Sequence, residues 1–236
     1  MDYVILKKEE NYLGRARDSL KKHGFCVIKG FFPYEPLIEI LKDFEDNFSA
    51  LNDTRRTGPY KYKMPNFQRL DLGDFAQVNA RFSRMFTRFS WNHSGGLDEP
   101  IKKMIEFRNE LFGLQHKDFI YDLEGTQLCD LPKVLHYPCG GGFMNKHHDV
   151  RNIPSVSNTL LSLSKRGKNF DTGGVYYIDK NGQFLDVEKV LDVGDMYMHE
   201  LETFHGVKAI DIEKNVDLIS LEGRLAINLS LEDFVI

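Results

Sequence analysis

Apolar residues in the first half of the chain recur at two different spacings. A β-rich run at Phe25–Lys29 predicts a short strand, and Gly24 before it is typical of the residue at which a helix ends. Three other segments carry apolar residues three and four positions apart, which is the spacing of a helix with one buried face. The predicted helices are Tyr12–His23, Pro36–Phe48 and Asp98–Phe112.

Periodicity is lost between Asn52 and Asp74. This stretch is rich in Arg, Lys, Tyr, Gly and Pro, so we expect a long loop. Loops of this length in compact domains are often lids over a binding site, and some are plain surface excursions. The sequence leaves both interpretations open, and the aromatic-rich stretch Ala80–Trp91 that follows is ambiguous between helix and strand.

After Asp118 the chain changes to short β-branched or alternating runs separated by Gly, Asn, Asp and Pro, a pattern typical of an all-β sandwich or barrel. We predict a mainly β fold with N-terminal helices, in which a double-stranded β-helix (jelly roll, cupin-like) forms the core. The chain would be a single domain, with residues 1–118 as helical and loop support, including the possible lid at 52–74, and residues 119–236 as the jelly-roll core. The eight predicted strands lie near Lys133–Tyr137, Phe143–Asp149, Ser157–Ser164, Gly174–Ile178, Gln183–Val187, Asp195–Glu200, Phe204–Ile210 and Arg224–Leu231.

Composition narrows the classes of protein to consider. With 236 residues, 42% of them hydrophobic, the chain can build a sizeable core, and its net charge of -4 argues against nucleic-acid or membrane binding. No signal-peptide-like apolar region and no membrane-length apolar run occur, which predicts a cytoplasmic protein. Three cysteines without a C-x-x-C pair indicate reduced thiols. The oligomeric state is not predicted.

The segment Gly140–Asp149, GGGFMNKHHD, places a histidine and an aspartate two residues apart at the end of an apolar run. Side chains alternate between the faces of a strand, so His147 and Asp149 would share one face and His148 would take the other. One imidazole and one carboxylate on one face, joined by a later histidine, make the 2-His-1-carboxylate site of non-haem Fe(II) proteins.

Two downstream histidines could complete such a site. His205 is favoured because it follows the turn at Gly194 and the strand MYMHE, so a hairpin would carry it back beside the first pair. His199, within that strand, remains the alternative. The other histidines are interpreted as packed or solvated side chains.

The order of the motifs around His147 and Asp149 is itself informative. SNTLLSLS, NFDTGGVYY, a Gly-Asp turn, FHGV and GRLAINLS follow in turn. Over roughly Pro132–Leu231 the chain resembles the 2-oxoglutarate- and Fe(II)-dependent oxygenases, in particular their prolyl-hydroxylase-like and phytanoyl-hydroxylase-like branches.

This resemblance implies a set of site residues. His147, Asp149 and His205 match the iron ligands, and Arg224 matches the residue that pairs with the far carboxylate of 2-oxoglutarate, a role that suits a planar guanidinium. The residues implied to lie near the cosubstrate are Tyr137 and, as weaker candidates, Asn158 and Ser162. The implied cofactors are Fe(II), 2-oxoglutarate as cosubstrate, and O2.

Two features depart from the family pattern. Arg224 follows His205 by 224 - 205 = 19 residues, a longer gap than usual, so an inserted hairpin or loop is expected between them. Ala226 replaces the serine that many relatives carry two residues after the arginine. Arg166 and Lys208 are the fallback partners for the carboxylate.

The implied reaction is oxidative decarboxylation of 2-oxoglutarate to succinate and CO2, coupled to hydroxylation of a C–H bond in a small molecule such as an amino acid, a sugar acid or a natural-product intermediate. The carboxylate of Asp149 favours hydroxylation over halogenation, and the final strand lacks the arginine-rich ending of nucleic-acid-repairing relatives. Two alternatives remain: a cupin-like metal-dependent isomerase or dioxygenase that does not use 2-oxoglutarate, and a non-catalytic jelly-roll binding module.

Overall fold

The helices of the computed structural model begin and end close to where the apolar spacing predicts. The structure describes residues 1–48, 67–72, 79–87, 98–114, 120–123, 126–149, 157–218 and 220–233. In these ranges the helices are α1 (Tyr12–His23), α2 (Tyr34–Phe48) and α3 (Asp98–Phe112). Helix α1 ends at Gly24, whose φ of 85° is in the left-handed region and whose N–H bonds to the Leu20 carbonyl. The three helical predictions are confirmed, with α2 starting two residues early.

The strands form two sheets. Their bounds are β1 Val4–Leu6, β2 Phe25–Lys29, β3 Phe67–Leu70, β4 Ala80–Arg81, β5 Ser83–Thr87, β6 Ile120–Leu123, β7 Thr126–Pro138, β8 Phe143–His147, β9 Asn158–Ser162, β10 Gly174–Ile178, β11 Phe184–Asp186, β12 Met196–His199, β13 His205–Lys208 and β14 Gly223–Asp233. The larger sheet has the order β1-β2-β12-β9-β14-β7-β5-β3, with β6 also paired to β7, and the smaller sheet has the order β11-β10-β13-β8-β4.

All eight strands predicted in the second half are present, as β7 to β14. Four of them, β7, β9, β12 and β14, belong to the larger sheet, and the other four to the smaller one. The result is a mostly β structure with two sheets and few helices, consistent with a jelly roll. No helix in the ranges given above is long and apolar enough to cross a membrane.

The loop prediction for 52–74 is wrong at Phe67–Leu70, which forms β3 and pairs antiparallel with β5. A four-residue edge strand obtains its hydrogen bonds from a partner distant in sequence, which local periodicity does not reveal. The remainder of the predicted lid, apart from residues 71 and 72, lies outside the described residues. The expected insertion between His205 and Arg224 is confirmed as a connection of turns and coil between β13 and β14.

Two of the clusters of buried side chains lie on opposite faces of the larger sheet. One lies between the sheets and includes Phe25, Leu160 and Tyr197. The other lies between the larger sheet and the helices and includes Met104 and Leu161. Leu160 and Leu161 are neighbours on β9 and contribute to different clusters, because successive side chains of a strand point to opposite faces. The helices therefore cover the outer face of the larger sheet and leave the space between the sheets for the candidate site.

Candidate metal centre

Two neighbouring strands of the smaller sheet bring His147 and His205 together. His147 is the last residue of β8, His205 is the first of β13, and the two are directly paired in register. Asp149 follows β8 by two residues, and its backbone N–H bonds to the Leu201 carbonyl at 2.8 Å. The loop before β13 thus fixes Asp149, while His148 lies on the other side against the Phe204 ring.

The three side chains form a compact group. His147 Nε2 lies 3.9 Å from Asp149 Oδ1, and His205 Nε2 lies 3.7 Å from Asp149 Oδ2. One ligand atom from each residue lies within 4.8 Å of the others, and the two imidazole rings are 4.2 Å apart. An ion with bonds of about 2.1 Å holds adjacent ligands about 3 Å apart, so small side-chain rotations suffice to seat it.

The backbone sets the tautomer of both histidines. His147 Nδ1 lies 2.8 Å from the Asn145 carbonyl, and His205 Nδ1 lies 2.9 Å from the Thr203 carbonyl. A carbonyl oxygen only accepts, so each Nδ1 carries the hydrogen and a neutral ring has its lone pair on Nε2. Metal-binding histidines are oriented in this way. Both Nε2 atoms face Asp149, and the donor set therefore fits a divalent transition metal.

Burial and charge favour the protonation states that a metal site needs. Burial lowers the pKa of His147 and lowers that of His205 well below the usual imidazole value. Burial alone would raise the pKa of Asp149, but the hydrogen bond from His199 holds it below its usual value. At neutral pH the site consequently offers two neutral imidazoles and one carboxylate.

A third histidine borders the group. His199 is 2% exposed, its Nε2 lies 3.2 Å from Asp149 Oδ2, and its ring centre is 4.1 Å from that of His205. Its Nδ1 hydrogen-bonds with the Tyr177 hydroxyl at 2.9 Å. The sequence left His199 and His205 as alternatives for one position. The structure places both beside Asp149, with His205 in the compact group and His199 supporting the carboxylate.

Asn158 and Ser162 face the same side of β9 but lie at opposite ends of it. Asn158 is paired with His199 across the sheet, and its amide donates to Asp149 Oδ2. The structure thus places Asn158 at the metal end of the space between the sheets. Ser162 lies opposite Ala226 on β14, and its hydroxyl donates to the Ser164 carbonyl at 2.8 Å.

Arg224 already has a carboxylate partner within the chain. It is 1% exposed, and its Nε donates to Glu188 Oε2 at 2.7 Å while one Nη donates to the Tyr197 hydroxyl at 2.5 Å. Tyr137 lies directly opposite Arg224 across β7 and β14 and is also buried. Glu188 was missed by the sequence reasoning, because a single glutamate in a short turn carries no signal of burial.

The fallback cations have other partners. Arg166 pairs with Asp186 at 3.1 Å and donates to the Gly173 carbonyl. The Lys208 amine lies over the Phe184 ring, 4.2 Å from its centre. Among the predicted partners of a cosubstrate carboxylate, Arg224 is the one buried between the sheets.

The metal group and Arg224 lie between the same two sheets. Burial raises the pKa of Tyr137 and that of Tyr177, and both also feel the positive charge of Arg224 and the negative charge of Asp149. Tyr197 and His199 are two residues apart on β12 and therefore face the same side. The arrangement can hold a metal at one end and an anionic group toward the other.

Comparisons with known proteins agree with this geometry. No protein-family model and no curated sequence matches the chain. Among solved structures, a prolyl-4-hydroxylase from Pseudomonas putida is 15% identical with a TM-score of 0.61, covering 94% of this chain and 100% of its own. A putative 2OG-Fe(II) oxygenase family protein from Caulobacter crescentus is 14% identical with a TM-score of 0.58, covering 98% of this chain and 86% of its own.

A third neighbour is a prolyl hydroxylase from Trichoplax adhaerens, solved with a hypoxia inducible factor peptide fragment. It is 14% identical with a TM-score of 0.60 and covers 96% of this chain and 95% of its own. At identities this low, the TM-scores show that the folds are similar and show nothing beyond the fold. Together with the His147, Asp149 and His205 group, they confirm that the chain has the fold of the 2-oxoglutarate- and Fe(II)-dependent oxygenases.

Proposed function

We propose that this protein is a non-haem Fe(II) dioxygenase that couples oxidative decarboxylation of 2-oxoglutarate, to succinate and CO2, with hydroxylation of a C–H bond in a small molecule. The observation that carries the proposal is the group of His147, Asp149 and His205, with both Nε2 atoms turned toward the carboxylate. We also propose that the core is a double-stranded β-helix, which the division of β7 to β14 between two facing sheets supports.

In this proposal His147 and His205 bind iron through Nε2, and Asp149 binds through Oδ1. Oδ2 of Asp149 is the atom that Asn158 and His199 contact, so these two residues orient the carboxylate and leave Oδ1 for the metal. Bound iron would supply the activation of O2 and the oxidising power. The protein orients the reactants and excludes water.

Arg224 is the proposed partner of the distal carboxylate of 2-oxoglutarate, and Tyr137 is proposed to lie against the same cosubstrate. A buried guanidinium can hold a carboxylate through two parallel hydrogen bonds. Ser162 is proposed to line the same end of the space between the sheets. Leu160, Val175 and Tyr177 pack between the sheets, and an apolar surrounding of this kind strengthens each charged contact.

A small-molecule substrate is consistent with two further neighbours of similar fold. One is described as a non-heme alpha ketoglutarate dependent epimerase from nogalamycin biosynthesis, with a TM-score of 0.55, and the other as a dioxygenase for auxin oxidation from Arabidopsis thaliana, with a TM-score of 0.56. We propose the same class of substrate for this protein: an amino acid, a sugar acid or a natural-product intermediate.

A second candidate function is a cupin-like metal-dependent isomerase or dioxygenase that does not use 2-oxoglutarate. Two observations favour it: His199 adds a third imidazole beside Asp149, and Glu188 already neutralises Arg224. A protein of this kind would bind its organic substrate directly at the metal and would not need a free guanidinium.

An anaerobic titration separates the two candidates. Metal-free protein would receive Fe(II) and then 2-oxoglutarate, with binding followed by calorimetry, and the loaded protein would then be screened for substrate-stimulated release of succinate. The proposal expects one Fe(II) per chain and 2-oxoglutarate binding that depends on the metal. Fe(II) binding without any 2-oxoglutarate binding would favour the second candidate.

A further inference from the structure

We propose that Glu188 is a positioning residue that presents Arg224 to the cosubstrate and, through its charge, sets how tightly a dicarboxylic 2-oxo acid binds. This inference rests on the proposed function. Glu188 lies in the short 3-10 helix Val187–Lys189, outside every motif of the resemblance. Its carboxylate nevertheless pairs with Arg224, which is buried between the sheets.

The fold makes room for the Glu188 side chain at a glycine. Gly174 has a φ of 112°, and a Cβ placed on it would lie 2.3 Å from Glu188 Cγ. Glu188 Oε2 accepts hydrogen bonds from the Val175 N–H at 2.8 Å and from Arg224 Nε at 2.7 Å. The carboxylate is therefore fixed by the backbone of β10 as well as by the guanidinium.

Glu188 occupies one edge of the guanidinium, and no carboxylate of a described residue bonds to its other end. Among the hydrogen bonds within the described ranges, the Nε edge goes to Glu188 and one Nη donates to the Tyr197 hydroxyl. A guanidinium has five N–H donors, and its two Nη atoms form a separate fork that binds a carboxylate end-on. Glu188 and Tyr197 thus hold the plane of the group while the end-on fork can receive a second carboxylate.

The second carboxylate would enter a space whose charge is already balanced. Arg224 and Glu188 are each at most 2% exposed in their side chains, so their charges are not screened by water. A bound dicarboxylate adds a second negative charge near the first. Glu188 Oε1 has no hydrogen-bond partner among the residues described, so nothing else there offsets its charge. Glu188 therefore weakens the binding of a distal carboxylate while it orients the arginine.

Glu188→Gln separates charge from position. The amide oxygen can keep both hydrogen bonds of Oε2, while the NH2 group takes the place of Oε1 and the negative charge is lost. Binding would be measured by calorimetry on anaerobic Fe(II)-loaded protein, with 2-oxoglutarate and with 2-oxopentanoate, which has the same chain length and no distal carboxylate. Asp186→Asn is the matched control, since Asp186 lies two positions before Glu188 and its charge pairs with Arg166 instead of Arg224. Thermal unfolding would confirm that each variant is folded.

We expect Glu188→Gln to bind 2-oxoglutarate at least tenfold more tightly than the native protein, which corresponds to about 1.4 kcal/mol. Binding of 2-oxopentanoate should not change, and Asp186→Asn should bind both acids as the native protein does. Glu188→Ala removes the charge and the hold on the guanidinium together, so it should bind 2-oxoglutarate less tightly than Glu188→Gln.

Three results would overturn the inference. Unchanged 2-oxoglutarate binding in Glu188→Gln, with binding intact in the native protein, would reject the role of the charge. Equal gains for both acids would show that the variant acts through the fold. Equal binding in Glu188→Ala and Glu188→Gln would reject the positioning role. If the native protein loaded with Fe(II) bound no 2-oxoglutarate, the proposed function itself would fail.

Discussion

The buried ion pair between Arg224 and Glu188 makes a quantitative prediction about stability. Arg224→Met would leave the Glu188 carboxylate buried between the sheets. Of its two hydrogen bonds to the described residues, only the one from the Val175 N–H would remain. Removing one partner of a buried ion pair destabilises a protein by about 3–5 kcal/mol, because the other charge stays buried and unpaired. For a chain of this size, that corresponds to a fall of roughly 6–20 °C in Tm.

The double variant Arg224→Met/Glu188→Gln tests the cause. It replaces the unpaired carboxylate of Glu188 by an amide, whose oxygen can still accept a hydrogen bond from the Val175 N–H. Most of the lost stability should therefore return. Urea denaturation of the native protein, both single variants and the double variant gives the coupling free energy between the two residues. We expect a coupling of at least about 2 kcal/mol, below the full cost of a broken buried pair.

Two results would contradict this reasoning. A loss below about 1 kcal/mol in Arg224→Met would be the value of an exposed ion pair and not of a buried one. A double variant as unstable as Arg224→Met would show that the loss comes from packing around the methionine. All measurements would use metal-free protein without cosubstrate, so that ligand binding adds nothing to the stability.

Three further predictions concern other parts of the chain. Alanine at any of the three proposed iron ligands should abolish Fe(II) binding in calorimetry, whereas His148→Ala, whose ring lies against Phe204, should retain it; retained binding in a ligand variant would refute the assignment. Burial lowers the pKa of His136 from 6.5 to about 3. Between pH 6.5 and 3 the His136 imidazole is therefore protonated in the unfolded chain and neutral in the folded protein. The free energy of unfolding should fall as the pH drops through this range, and it should fall less steeply in His136→Gln. Gly174→Ala should lower the free energy of unfolding by at least about 2 kcal/mol, through backbone strain and a clash with Glu188. Gly182 has a φ of 80° and open space around it, so Gly182→Ala should cost about 1 kcal/mol in the same urea assay. Equal losses in the two variants would refute the clash.

The pattern of side chains along the sequence determined the local elements. The helix α1 and the strand β2 lie where apolar spacing and Gly24 predict them, and the eight later strands follow the alternation of apolar runs and turn residues. The spacing of His147 and Asp149 likewise implied that both side chains would face one point. Each of these features depends on the preference of a residue and its near neighbours, which the sequence displays directly.

The tertiary structure decided those contacts between distant residues that the sequence left open or did not show. It paired His205 with His147 in register, set His199 and Asn158 against Asp149, and gave Arg224 a carboxylate partner in Glu188. These contacts join residues 9 to 58 positions apart, and they depend on how two sheets face each other. The edge strand β3 likewise depends on pairing with a strand that is distant in sequence, β5. Hydrogen bonds between strands and the burial of single charges are consequences of long-range packing, so no local pattern could predict them.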